Sequence, residues 1–286
     1  MGYLLLIFIA LILYVKLRKK LQQKYEVIGL THQDIDVTDA DRLTKFFADI
    51  NPNVVINTAA YHNVPLCEQN PDLAFQVNAR GALNLARLCS RFDAVLVHYS
   101  TDYVFDGEKK SPYNEDDAVN PLNIYALTKL NGEILIRNYC RRHYILRISG
   151  IYGKTPCRAK GGNFITTMLK AAGERDVVKV VTDEILSPTA VSEIAMNTEK
   201  LLNQDSYGLF HMTCEGECSW YDFARVIFSE LKLTTPLEPC TIDDFPSPVK
   251  RPTYSVLENK ALKELKLNDM RHWRDVLTEF LQQNYC

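Results

Sequence analysis

The sequence predicts an α/β chain built on a doubly wound parallel sheet, followed by a smaller lobe. Three observations predict it. Short apolar runs alternate with amphipathic stretches of helical length through the first half of the chain. The stretches between those runs are long enough for helical crossovers, which parallel strands require and which are right-handed. Beyond Gly153 the alternation gives way to loops, prolines and short elements such as GGNF at 161–164 and TIDDFPSPVKRP at 241–252.

The chain opens on YLLLIFIALILYV (3–15) followed by KLRKK. Thirteen apolar residues make a helix of roughly 20 Å, short of the roughly 30 Å hydrocarbon core of a bilayer. A basic n-region and a small-residue cleavage site are both missing, so the segment is not read as a signal peptide. It is read as a first buried strand at about 3–9 running into a helix that ends near Gln23. The alternative is a membrane-surface anchor through 3–20, with Lys16 to Lys20 at the headgroups. YEVIGL (25–30) is the second strand. Thr38 or Asp39 caps a helix to about Ile50, and NVVIN (53–57) is the third strand. A long helix from Pro71 to Arg91, a strand at 94–99, a helix at 123–138 and the strand HYILRI (143–148) complete a Rossmann-type sheet. YGLFHMT (207–213), SWYDFARVIFSEL (219–231) and a closing helix near 272–283 are assigned to the smaller lobe. The expected division is a dinucleotide-binding domain over 1–150 and a substrate-binding lobe over 151–286, interleaved with it.

A chain of 286 residues can bury a sizeable core. The net charge of −2 gives no electrostatic case for a nucleic-acid partner. The eight cysteines lack paired CxxC spacing and any secretory pattern, so free thiols in a reducing, cytoplasmic compartment are expected. Cys214 and Cys218 have no second pair or histidine cluster nearby, and no metal site is assigned.

Chemistry concentrates between Val95 and Lys129. VLVHYSTDYVFDG reads as a buried strand ending in hydroxyls and an acid, and NPLNIYALTKLNGE as the start of a helix. Tyr125 and Lys129 then share one helix face. A neighbouring ammonium favours the phenolate, so the Tyr125 pKa is expected to fall and the phenol to serve as a proton donor. Ser100 and Thr101, at the carboxyl end of a parallel strand, are placed to hold a carbonyl oxygen before it. Tyrosine and lysine at this spacing usually mean only a half-buried ring and a solvated charge. Of the fifteen tyrosines, however, only Tyr125 has a lysine four residues later. The set suits carbonyl reduction.

STDYVFDG (100–107), Tyr125-x-x-x-Lys129, NTAA (57–60), VNARG (77–81), SPTAVSEIA (187–195), SWYDFA (219–224) and KRPTYSVLEN (250–259) together resemble the dTDP-4-dehydrorhamnose reductases, a family of extended short-chain dehydrogenases/reductases. The resemblance implies reduction of the 4-keto group of a nucleotide-activated deoxysugar by NADPH, with NADH as the alternative. It implies that Thr101 polarises the carbonyl, Tyr125 delivers the proton and Lys129 tunes the phenol and holds the nicotinamide ribose. Asp102 would contact the sugar. Asp36 and Val37 would meet the adenine end, and Ala60, Tyr61, His62 and Tyr99 would line the cofactor. Two departures stand out. An ungapped match puts Ile7, Ala10 and Leu13 where the family carries the glycines of its phosphate turn, and Gly150 stands where it usually carries a Trp against the sugar. The missing glycines also fit a non-catalytic sugar-nucleotide-binding subunit of the same fold. After the second strand, Thr31, His32 and Gln33 include neither an acid for a free ribose 2′-hydroxyl nor an Arg for a 2′-phosphate. The partial charge of His32 tilts the expectation to NADPH.

Overall fold

In the computed structural model of the chain the described residues are 4–8, 11–155, 162–245 and 247–286, with side chains from Leu13 onward. The first half runs β1 (Leu4–Phe8), α1 (Leu11–Leu21), β2 (Glu26–Leu30), α2 (Ala40–Ile50) and β3 (Val54–Asn57). It continues through α3 (Val64–Gln69), α4 (Pro71–Phe75), a π turn over Gln76–Arg80, α5 (Gly81–Arg91), β4 (Val95–Thr101), α6 (Ile124–Tyr139) and β5 (His143–Ile148). The second half holds β6 (Ile151–Tyr152), α7 (Phe164–Glu174), β7 (Val178–Val181), β8 (Ile185–Leu186), β9 (Thr189–Ala190), α8 (Val191–Leu201) and β10 (Gly208–His211). After these come β11 (Cys218–Ser219), α9 (Trp220–Glu230), β12 (Leu237–Cys240), α10 (Lys260–Glu264) and α11 (Trp273–Tyr285).

Six strands form one parallel sheet in the order β2-β1-β3-β4-β5-β10. The strand order reverses between β1 and β3, which opens a crevice beyond their carboxyl ends. Alternate strand residues serve opposite faces. Val54, Ile56, Val95, Val97 and Leu146 pack toward α1 and α8, whereas Val55, Leu96 and Ile145 pack toward α2, α5 and α6. A sheet covered on both faces explains why the strands read as continuous apolar runs.

The opening segment belongs to this sheet. β1 is paired on both sides, and Leu13, Leu17 and Leu21, one turn apart on α1, are buried in the core. Lys20 and Lys24 pair with Glu199 of α8 at 3.0 and 2.7 Å. The segment is thus used by the fold, and the anchor reading finds no support. Among the described residues no helix is long and apolar enough to cross a membrane.

Two expectations need correction. YGLFHMT does not join the smaller lobe: Gly208–His211 extends the main sheet beside β5, with Phe210 facing one core and Leu209 the other. The long helix over 71–91 is divided into α4, the π turn and α5, and Asn78, inside the π turn, is held by its side chain. Its Oδ1 accepts from the Tyr61 N–H at 2.8 Å, and its Nδ2 donates to the Tyr61 carbonyl and Thr128 Oγ1, both at 2.9 Å. The unanticipated α3 starts at the Asn63 cap, with Pro65 in its first turn. Short pairs β6–β9, β7–β12 and β8–β11, with α7, α9, α10 and α11, build up the lobe side of the crevice.

Candidate active site

β4 is buried along its whole length and delivers Thr101 to the crevice; the Thr101 hydroxyl then accepts from the Tyr103 N–H at 3.2 Å and starts a 3₁₀ turn. α6 begins beside it. Its cap, Asn123, accepts from the Ala126 N–H at 2.9 Å and donates to the Lys250 carbonyl at 2.9 Å, so the helix start is tied to the lobe. Glu68 of α3 accepts from the Ile124 N–H at 2.7 Å. Tyr125 and Lys129 therefore face the crevice from a helix fixed at its first turn. The crevice is a cavity of about 2140 Å³, more than twice the roughly 300–1,000 Å³ that one drug-sized ligand fills. It has room for two ligands side by side.

Thr101, Asp102, Tyr125 and Lys129 all line this cavity. The Thr101 hydroxyl lies between the Tyr125 phenol, to which it hydrogen-bonds, and Asp102 Oδ1 at 3.1 Å. The other carboxylate oxygen of Asp102 accepts from Ser149 at 2.8 Å and Ser255 at 2.6 Å. Burial raises the Asp102 pKa and these hydroxyls hold it back. The Lys129 amine sits 2.6 Å from the Tyr99 carbonyl and 3.1 Å from His98 Nε2. Burial lowers its pKa to about 8, against the opposing pull of Glu133.

The expected low pKa of Tyr125 is not what the structure gives. Burial pushes the phenol above its ordinary value, the Thr101 hydrogen bond opposes this, and the Asp102 carboxylate adds to the rise. Lys129 points to β4 and leaves the phenol alone. Tyr125 is accordingly an acid that keeps its proton until a stronger base, such as an alkoxide, forms beside it. Ser100 also lines the cavity, but its hydroxyl is turned elsewhere. Strand alternation turns it from Thr101, and its hydroxyl donates to buried Glu133, whose carboxylate also meets Arg147 of β5 at 2.7 Å.

Ala60, His62 and Tyr99 lie on the cavity wall. The Tyr99 phenol, however, is turned to Thr198 of α8, 2.7 Å away, so its carbonyl is what it offers Lys129. Asp36, Val37 and Tyr61 are off the wall, whereas Thr31 and His32 are on it. Asp36 accepts from the Thr38 N–H and hydroxyl, both at 2.8 Å; Val37 is buried under Gly81; the Tyr61 N–H is held by Asn78. Ile9 and Ala10 fall outside the described residues, whereas Leu13 and Tyr14 of α1 line the cavity. A Cβ on Gly29 would run into the Tyr14 hydroxyl, to which Arg18 donates at 3.0 Å.

Gly150 has φ +51°, and a Cβ there would lie 2.7 Å from Leu186 Cδ1 and 3.1 Å from the Pro188 Cα. A tryptophan has no space at that position. The aromatic wall comes from Trp220, stacked on Phe164 at 4.4 Å and 25°. Sequence reasoning also missed Ser149, which precedes Gly150, and Ser255, which lies within KRPTYSVLEN. Four lobe cations on the wall, Arg175, Lys179, Lys250 and Arg251, went unassigned too. Among the described residues no cluster of histidine, cysteine and carboxylate groups could hold a metal ion.

A family model, the RmlD substrate binding domain, matches residues 12–286. The chain belongs to the RmlD family. The dTDP-4-dehydrorhamnose reductase of Aggregatibacter actinomycetemcomitans is 38% identical over 253 residues, 84% of each protein. The spore coat polysaccharide biosynthesis protein SpsK of Bacillus subtilis is 38% identical over 266 residues, 93% of this RmlD-family chain and 92% of SpsK. Among solved structures, a dTDP-4-dehydrorhamnose reductase from Clostridium acetobutylicum superposes with a TM-score of 0.94 at 41% identity, covering 98% of this chain and 99% of that one. One from Bacillus anthracis, in complex with NADP, also gives 0.94, at 32% identity, covering 99% and 100%.

Proposed function

We propose that this RmlD-family chain is a dTDP-4-dehydrorhamnose reductase, an oxidoreductase that converts dTDP-4-dehydro-L-rhamnose to dTDP-L-rhamnose with NADPH, or with NADH as the alternative donor. The observation that carries the reading is the joining of Thr101, Tyr125 and Lys129 at one wall of a cavity large enough for two ligands. The names of the relatives and the NADP complex of the Bacillus anthracis structure support it.

The residues present suit a dinucleotide. Ala60, His62, the Tyr99 carbonyl, Tyr125 and Lys129 would hold the nicotinamide half, and Arg18 and His32, at the β2 end of the cavity, would face the adenosine phosphate. When bound, the nicotinamide supplies the hydride. Tyr125 donates its phenolic proton to the oxygen of the reduced carbon, a transfer that runs downhill because an alkoxide is the stronger base. Thr101, whose hydroxyl donates to Asp102 Oδ1 in the free site, would turn that proton to the carbonyl oxygen to polarise it, while Ser149 and Ser255 hold the Asp102 carboxylate in place. Arg175, Lys179, Lys250 and Arg251 supply positive charge for the sugar-nucleotide diphosphate. On this reading residues 151–286 form the substrate lobe, with β10 and α8 returned to the main sheet.

The test is direct. Purified chain, NADPH and dTDP-4-dehydro-L-rhamnose should give nicotinamide oxidation and one new sugar nucleotide, identified by NMR as dTDP-L-rhamnose. Saturable binding of both ligands with no turnover would instead favour a binding subunit.

A further inference from the structure

The Asn57, His98 and Lys129 side chains form a buried chain of hydrogen bonds leading away from the reacting groups. Asn57 closes β3, His98 lies mid-β4 and Lys129 is on α6; each is almost completely buried. Asn57 Oδ1 accepts from the Ala59 N–H at 3.0 Å, which fixes the orientation of the amide. Its Nδ2, which carries only hydrogens, therefore faces His98 Nδ1 at 3.0 Å. His98 Nδ1 must then be the acceptor. A neutral imidazole with a bare Nδ1 carries its proton on Nε2, and Nε2 lies 3.1 Å from the Lys129 amine. An ammonium has no lone pair with which to accept that N–H, whereas an amine has one.

We propose that His98 is a positioning residue that, clamped by Asn57, donates its Nε2–H to Lys129 and holds the lysine as a neutral amine. The inference rests on the reductase reading for its role but not for its test. The reverse arrangement sets a buried donor against a donor, either Asn57 Nδ2 against a protonated His98 Nδ1 or a flipped Asn57 amide against the Ala59 N–H.

The groups packed around Lys129 come from three elements. From β4, the Tyr99 carbonyl takes one amine hydrogen at 2.6 Å. On α6 itself, Glu133 is paired with Arg147 yet still pulls the Lys129 pKa upward, against burial, and Tyr125 keeps its proton. From the π turn, the Asn78 carbonyl lies near; a Cβ on Gly132 would be 2.6 Å from it and 3.6 Å from His98 Nε2, so only glycine lets α6 come this close. Burial keeps His98 unprotonated, and whenever Lys129 carries a proton its charge acts in the same direction. Burial brings Lys129 down to about 8 against the upward pull of Glu133, and a donor to its lone pair acts in the same direction as burial. Lys129 therefore gains or loses a proton around neutral pH. It can take one from the buffer when anionic phosphates, or the phenolate left by Tyr125, arrive beside it.

The test reads the tautomer first. In full-length protein labelled with ¹⁵N on histidine, two-bond ¹H–¹⁵N spectra near neutral pH should show His98 with Nδ1 bare and Nε2 protonated. The signal is assigned by its loss in His98→Gln. A protonated Nδ1 overturns the proposal, whatever the activity. The second arm is the pH profile of NADPH binding followed by nicotinamide fluorescence. His98→Gln, whose amide can still donate, should keep the wild-type limb. His98→Phe, similar in shape with no donor, should move it up by about one pH unit, tenfold in proton concentration. A limb unmoved in His98→Phe overturns the link to Lys129. If that variant does not fold, the wild-type tautomer decides alone.

Discussion

Replacing Arg147 by Leu should unfold this protein from the inside, because it strips a buried carboxylate of its partner. Glu133 of α6 is fully buried and Arg147 of β5 nearly so. The guanidinium meets both carboxylate oxygens, Nε 3.0 Å from Oε1 and Nη2 2.7 Å from Oε2, while Ser100 of β4 donates to Oε1. After the substitution the Ser100 hydroxyl is the remaining described partner. Removing one member of a buried ion pair typically costs about 3–5 kcal/mol. At about 2–4 °C per kcal/mol for large domains, Tm should fall by on the order of 10 °C. The same clamp ties the helix bearing Tyr125 and Lys129 to the strand bearing Thr101, so kcat should fall in whatever fraction stays folded. Thermal unfolding by circular dichroism and urea titration would give the magnitude. The double variant Glu133→Leu, Arg147→Leu, with no charge left to strand, should regain most of the loss. A single variant within about 1 kcal/mol of wild type would refute the reasoning, since that is the scale of an exposed pair.

Acid sensitivity should follow from His211, whose pKa burial, aided by the Arg147 charge, depresses from 6.5 to about 3. Between those values the unfolded chain binds a proton that the folded chain refuses. Stability is therefore present above about pH 6.5 and falls on acidification, by about 1.4 kcal/mol per pH unit from this group. Urea midpoints across that range should show the slope, and His211→Gln should flatten it. Gly132→Ala places a methyl 2.6 Å from the Asn78 carbonyl; with backbone on both sides it should cost about 1–3 kcal/mol and lower kcat by displacing Lys129. Unchanged Tm and kcat would show that α6 shifts freely there.

The sheet was legible because its strands are buried on both faces, so VLVHYS and HYILRI read as uninterrupted apolar runs with helices between them. YGLFHMT was misplaced for a physical reason. It is short and arrives after the regular alternation has ended, and its pairing with β5 is long-range, which local periodicity cannot encode. In the site, Thr101, Tyr125 and Lys129 were legible from strand-end and helical spacing together. What spacing could not supply was direction: Lys129 turns to His98 and the Tyr99 carbonyl rather than to the phenol, and Ser100 turns to Glu133. Ser255 reaches Asp102 from 153 residues away in sequence, and no local pattern marks such a contact. Asp36 and Val37, assigned through the family resemblance, lie off the cavity wall, Asp36 accepting from Thr38 and Val37 packed under Gly81.

The central claim, proton delivery by Tyr125 at the wall shared with Thr101 and Lys129, is tested most directly by single-turnover reduction of dTDP-4-dehydro-L-rhamnose with Tyr125→Phe. The substitution removes one oxygen from a half-buried ring, so Tm should stay near wild type, and single turnover at saturating NADPH separates the chemical step from any change in cofactor affinity. The rate of nicotinamide oxidation should fall by roughly 10²–10⁴, the usual worth of a positioned general acid. A Tyr125→Phe protein that oxidises NADPH at the wild-type rate on this sugar would contradict the account.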